Sequence, residues 1–180
     1  MSYSDVRLNY NEIDRKIKNL VKFLGSNYKK LGEGCYRAVF DYDAKRVIKC
    51  PTYRGCIDDN GVRANLIEYY FYREFKKYKI VPKTSIITVK GIPCILMDKL
   101  EMTSDSKKYN RFQKRLSKIG VTMYDGDYQL GLDPKGRVRS CDAGNEDEQL
   151  SDEAVKEIDS RTLDIYKKLG KTAKKVAKKK

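Results

Sequence analysis

Two pairs of short, strongly apolar runs stand on either side of one helical stretch, and that spacing limits what the chain can build. AVFDY and RVIKC meet across the turn-like Asp43-Ala44-Lys45, and SIITVKG and IPCILMDKLE meet across Gly91 and Pro93. Val, Ile, Phe and Tyr in runs of this length, bounded by turn residues, read as hairpin strands. Between the pairs, NLIEYYFYREFKKY (Asn65 to Tyr78) is dense in aromatic and charged residues at helical spacing, which predicts a helix packed on the first hairpin. Ahead of them, Val6, Leu8, Ile13, Ile17, Leu20, Val21 and Phe23 follow a helical rhythm from Asp5 to Phe23, with Gly25 as its stop. Up to Glu101 the chain therefore reads helix, hairpin, helix, hairpin, the order of an α+β lobe.

The remainder is sparser. In SDSKKYNRFQKRLSKIG, Ser104 or Ser106 is positioned to cap a basic helix ending near Gly120. YQLGLDPKGRVRSCD predicts two short strands around Pro134-Lys135-Gly136, and Ser151-Asp152-Glu153 opens a helix running through Tyr166 with acids in its first turn. The expected organisation is an N-terminal amphipathic helix over 1–27, an α+β lobe over 28–101, a reduced helical lobe over 102–166 and a basic tail over 167–180.

Composition narrows the chemistry. There is no His, which removes Ser-His and Cys-His catalysis, and the five Cys include no CxxC pair. An odd set of thiols, and a start, MSYSDVRLNY, without an apolar leader, predict a reduced, cytoplasmic protein. No apolar run approaches the roughly 20 residues that cross a bilayer, so no membrane association is expected. The net charge of +14 favours acidic partners, but eight Lys and no acid fall between Lys167 and Lys180, so much of the excess belongs to the tail.

Two chemical features stand out. In LGEGCYRAVF, Gly32 and Gly34 precede a strand, where the missing Cβ lets backbone N–H groups approach phosphate oxygens. No Gly-Lys-Ser/Thr follows, and no helix follows, so neither a Walker loop nor a dinucleotide fingerprint is present. Lys49 ends the apolar run VIK, where an ammonium is costly unless it meets an anion, and Glu68 on the following helix can supply one.

With these residues in view, the chain resembles the protein-kinase-like family. Gly32-x-Gly34-x-x-Arg37-x-Val39 resembles its Gly-rich loop, with Arg37 in place of the third Gly; VIK resembles the strand motif V-A-I-K; and Glu68 matches the partner glutamate. Ile95 to Glu101 is similar to the hinge between lobes, where Met97 to Leu100 would meet adenine. In YQLGLDPKGRVRSCDAG, Gln129 falls on the metal-binding Asn, and Asp142-Ala143-Gly144 on Asp-Phe-Gly. The pattern is most similar to small kinase-like proteins of bacterial viruses.

The resemblance implies a minimal bilobal α+β fold with a mainly antiparallel N-terminal sheet, one packed helix and a truncated helical C-lobe. It implies ATP and Mg2+ as cofactors. Gly32, Gly34, Lys49, Glu68, Met97 and Leu100 would bind the nucleotide, and Gln129 and Asp142 the metal. Tyr124 stands where the catalytic Asp belongs, which leaves Asp125 or Asp127 as the candidate base, and nothing after Gly144 resembles A-P-E. The implied activity is serine/threonine-type phosphoryl transfer to a host or viral protein, or its loss in a pseudokinase. A different class also fits the sequence: a basic module without catalysis that grips nucleic acid, through the Lys tail and YYFYREFKKY, or a host protein.

Overall fold

A computed structural model describes residues 9–52, 61–123, 129–144 and 146–171. The first helix, α1 (Tyr10–Asn27), starts at Asn9, whose side chain accepts from the Glu12 N–H (3.2 Å). It buries Ile13, Ile17, Leu20 and Leu24 on one face. Gly25 does not stop it. The helix runs to Asn27 and closes when the Tyr28 N–H donates to the Leu24 carbonyl (2.8 Å). An interior Gly costs only about 1 kcal/mol, which the buried apolar face outweighs.

The strands β1 (Lys30–Glu33), β2 (Arg37–Asp41), β3 (Arg46–Pro51), β4 (Thr84–Val89) and β5 (Ile92–Asp98) form one antiparallel sheet in the order β1-β2-β3-β5-β4. The β4–β5 turn is made by Lys90 and Gly91, both at positive φ. Pro93 lies inside β5 opposite Thr88, not in the turn. Its carbonyl accepts from Asn65 Nδ2 (3.1 Å), and the β3 ladder begins only at Ile95, so the absent N–H interrupts no pairing there.

Helix α2 (Gly61–Phe75) lies across β3, β4 and β5 and presses Val62, Leu66, Ile67 and Phe71 into the core. Gly61 is forced by proximity, since a Cβ would stand 2.0 Å from the Tyr36 carbonyl oxygen. Beyond β5, β6 (Glu101–Met102), β7 (Leu130–Leu132) and β8 (Val138–Ser140) make a second, three-stranded sheet. Helix α3 (Ser106–Ser117) packs on β8. Its cap is Asp105, which lies between the two serines expected to cap it; the carboxylate accepts from the N–H groups of Lys107 and Lys108 (2.9 and 3.2 Å).

Helix α4 (Asp152–Leu169) is capped by Ser151 as expected and extends past Tyr166 to Leu169. It packs against α2 and α1. Ile158 joins the core under α2, while Tyr166 and Leu169 join the core between α1 and the sheet. No helix among the described residues is long and apolar enough to cross a membrane.

Candidate functional site

The five-stranded sheet, the β5–β6 linker and the β7–β8 hairpin enclose a cavity of about 600 Å3. One wall is Leu31, Gly32 and Gly34; the floor is Val39, Val47 and Lys49; Met97 and Leu100 form the linker side, and Gln129, Cys141 and Asp142 the far side. Behind the linker, Gly131 lets β7 approach Leu100, because a Cβ there would stand 2.5 Å from Leu100 Cβ.

Lys49 is on the third strand and Glu68 on α2. Lys49 Nζ donates to Glu68 Oε1 and Oε2 at 2.8 and 3.0 Å, and also to the carbonyl of Cys141. The two side chains are only 5% and 4% exposed. Burial pushes the Lys49 ammonium below the ordinary lysine range; Glu68 pulls it back up, and the Arg37 charge presses it down again. Asn65, at the same level of α2, ties the helix to β3 and β5 through the carbonyls of Lys49 and Pro93.

The glycine-bearing segment is a closed turn: the Gly34 N–H donates to the Arg37 carbonyl (2.9 Å) and is spent within the loop. Thr52, just after β3, pins it, with its N–H on the Tyr36 carbonyl (2.7 Å) and its hydroxyl on the Cys35 carbonyl (3.0 Å). A Cβ on Gly32 or Gly34 would meet no protein atom within 4 Å. Packing of the chain against itself therefore does not demand glycine at either position.

Asp142 and Gln129 flank the β7–β8 hairpin and are drawn together when the Cys141 N–H donates to the Gln129 carbonyl (2.8 Å). The residue that sequence reasoning undervalued is Arg37. Its Nη1 is bonded to Glu68 Oε2 and its Nη2 to Asp142 Oδ1, with the side chain only 7% exposed. Gly144 provides the room, since a Cβ there would lie 2.6 Å from Arg37 Nη2. The available signal was an arginine where the resemblance asks for glycine, followed by the buried strand AVF.

A magnesium ion held by Gln129 and Asp142 does not fit this arrangement. One oxygen of Asp142 is engaged by a guanidinium, and Glu68 is shared between Lys49 and Arg37. Among the described residues no group of three acidic, Cys or His side chains could hold a metal. Gln129 Oε1 is buried without a hydrogen-bond partner among the described residues, which leaves an acceptor for a ligand hydroxyl or a water. Asp125 and Asp127, the candidate bases, lie outside the described residues, as does most of the lysine tail.

No family model matches the chain, and no curated protein matches it in sequence. Among solved structures it is similar to SAICAR-synthase from Saccharomyces cerevisiae complexed with SAICAR, at 11% identity and a TM-score of 0.30. The match covers 81% of this chain and 63% of that one, so the chain spans less than two thirds of the synthase. A likeness of that size says nothing of activity.

Proposed function

We propose that the chain is a nucleotide-binding protein of protein-kinase-like design that takes ATP into the cleft, with the phosphates directed at Lys49. The observation that carries this is the buried Lys49–Glu68 pair facing a cavity of about 600 Å3. Two buried charges contribute little net stability, because desolvation offsets their attraction. An ammonium held in that way is explained by an anion that comes to it. A strand lysine paired with a glutamate on the next helix is how kinases hold nucleotide phosphates, and the third strand is the context that the V-A-I-K motif requires.

Further support comes from the walls. The cavity volume lies within the range of small-molecule sites, and Leu31, Val39, Val47 and Met97 offer apolar faces on which an adenine ring can lie, beside Leu100 of the linker. The open space over Gly32 and Gly34 suits close approach of a ligand. Phosphoryl transfer to a protein hydroxyl is proposed on the sequence alone, with Asp125 or Asp127 as base. A role for the lysine tail in nucleic-acid binding has the same standing, as does a protein partner.

Thermal melting tests the proposal. A ligand that binds only the native state raises Tm, so ATP should stabilise the wild type, and Lys49→Ala should abolish the shift in a protein that still melts cooperatively. Equal shifts in both proteins would remove Lys49, and with it the kinase-like site.

A further inference from the structure

Resting on the nucleotide reading above, we infer that Arg37 is the built-in cation of this cleft, so that the nucleotide's phosphates are bound free of a divalent metal ion. The guanidinium spans two carboxylates, Glu68, the buried partner of Lys49, through Nη1 and Asp142, which lines the cavity, through Nη2. Two of its five N–H groups are used in these bonds; the others have no partner among the described residues, and the side chain lines the cavity.

Charge accounting points the same way. With glycine at position 37, Lys49, Glu68 and Asp142 would leave one uncompensated negative charge to attract a metal. Arg37 cancels it. Of the cations lining the cavity, Lys49 is paired with Glu68 and Lys99 with Asp41, so with Arg37 balancing Asp142 the cleft holds no excess negative charge that calls for a metal. Arginine stays protonated throughout the physiological range and presents a planar fork matched to phosphate oxygens. A magnesium ion would instead draw on one or two carboxylates together with phosphate oxygens and waters, and the carboxylates at hand, Glu68 and Asp142 Oδ1, already hold the guanidinium.

Gly144 is part of the device, because its missing Cβ is what admits the guanidinium. Arg37 sits at the end of a flexible side chain, so Gly144→Ala should displace it without breaking the backbone. Arg37→Gly removes it and restores the glycine of the loop pattern.

The test is melting of the full chain with ATP, once in EDTA and once in excess MgCl2, for wild type, Arg37→Gly and Gly144→Ala. At a ligand concentration near one hundred times Kd, the wild type should gain about 5–10 °C in EDTA, and no more with magnesium. Both variants should lose the gain in EDTA. Recovery of the gain in the variants on adding magnesium would show that removing the guanidinium reopens a metal site. A wild-type shift that appears only with magnesium and is unchanged in the variants would overturn the inference while leaving ATP binding intact. No shift for the wild type under either condition would overturn the nucleotide reading, and this inference with it. Should Arg37→Gly fail to fold, Gly144→Ala and the wild-type comparison decide alone.

Discussion

In the proposed function Lys49 acts only as an ammonium, and burial pushes its proton off at a lower pH than for an exposed lysine. Under the proposed function the charged form meets the phosphates, so ATP affinity should be full below the folded-state pKa and lost as pH rises through it, at a pH below the usual lysine value of 10.5. Measuring Kd from about pH 7 to about pH 10 should show that alkaline loss; a flat profile would mean that Lys49 makes no contact with the ligand. Cys35 provides a second residue-level check. It is exposed and lines the cavity, whereas Cys50 and Cys94 are buried, the Cys50 thiol pushed up to about 12 and that of Cys94 also pushed up. Since the thiolate is the reactive form, iodoacetamide should alkylate Cys35 ahead of those two, and ATP should slow its reaction in proportion to occupancy. Unchanged labelling at saturating ATP would put the nucleotide elsewhere. At this scale Lys49 and Glu68 were legible because a lysine inside an apolar strand needs a partner. Arg37 was not, because a long side chain can fold either into a cleft or out to water, and only the room above Gly144 decides which.

Among the elements, the β7–β8 hairpin is held by one carboxylate, Asp133, shared between two arginines. Asp133 Oδ1 accepts from the N–H groups of Lys135 and Arg137 (2.9 and 3.0 Å), and Oδ2 from Arg137 Nε (2.8 Å) and from Arg139 Nε and Nη2 (3.0 and 2.7 Å). Burial pushes this carboxyl up, but the hydrogen bonds from Arg139, Arg137 and Lys135 outweigh it and hold it well below the usual carboxylate range. A depressed folded-state pKa contributes stability that is present above the unfolded value, about 4, and is lost as pH falls below it. Asp133→Asn should therefore cost about 1.5–3 kcal/mol near neutral pH, as expected for charge-assisted bonds, and should flatten the acid limb of the stability profile. An unchanged acid limb would show that other carboxyls govern it. The strand pairs were legible from their β-branched and aromatic runs, and the hairpin itself from Pro134-Lys135-Gly136, with Gly136 at positive φ. Ends were harder. Gly25 and Pro93 both look like breaks, and each is tolerated because neighbouring burial or an already finished ladder outweighs the local preference. The cap of α3 fell to Asp105, since any of three adjacent polar residues can accept the same N–H groups.

Across the whole molecule, α4 is the element that joins the parts. Ile158 is fully buried in the core shared by α2, α3 and the β7–β8 hairpin, and Tyr166 and Leu169 close the core between α1 and the sheet. Ile158→Ala should lower stability by about 2–5 kcal/mol, measured by urea unfolding. It should act on both cores together, so that a single cooperative transition moves; two separated transitions would mean that α4 does not couple them. The α+β class and the antiparallel sheet were readable in the sequence because they depend on local periodicity. The return of α4 onto α1 and α2 was not, because nothing in an amphipathic helix names the surface it covers. Isothermal titration of ATP into wild type and Lys49→Met tests whether this scaffold holds a nucleotide against Lys49, as proposed. The expected result is one site per chain in the wild type and no measurable heat in the folded variant. Equal binding by both proteins, or none by the wild type, would contradict it.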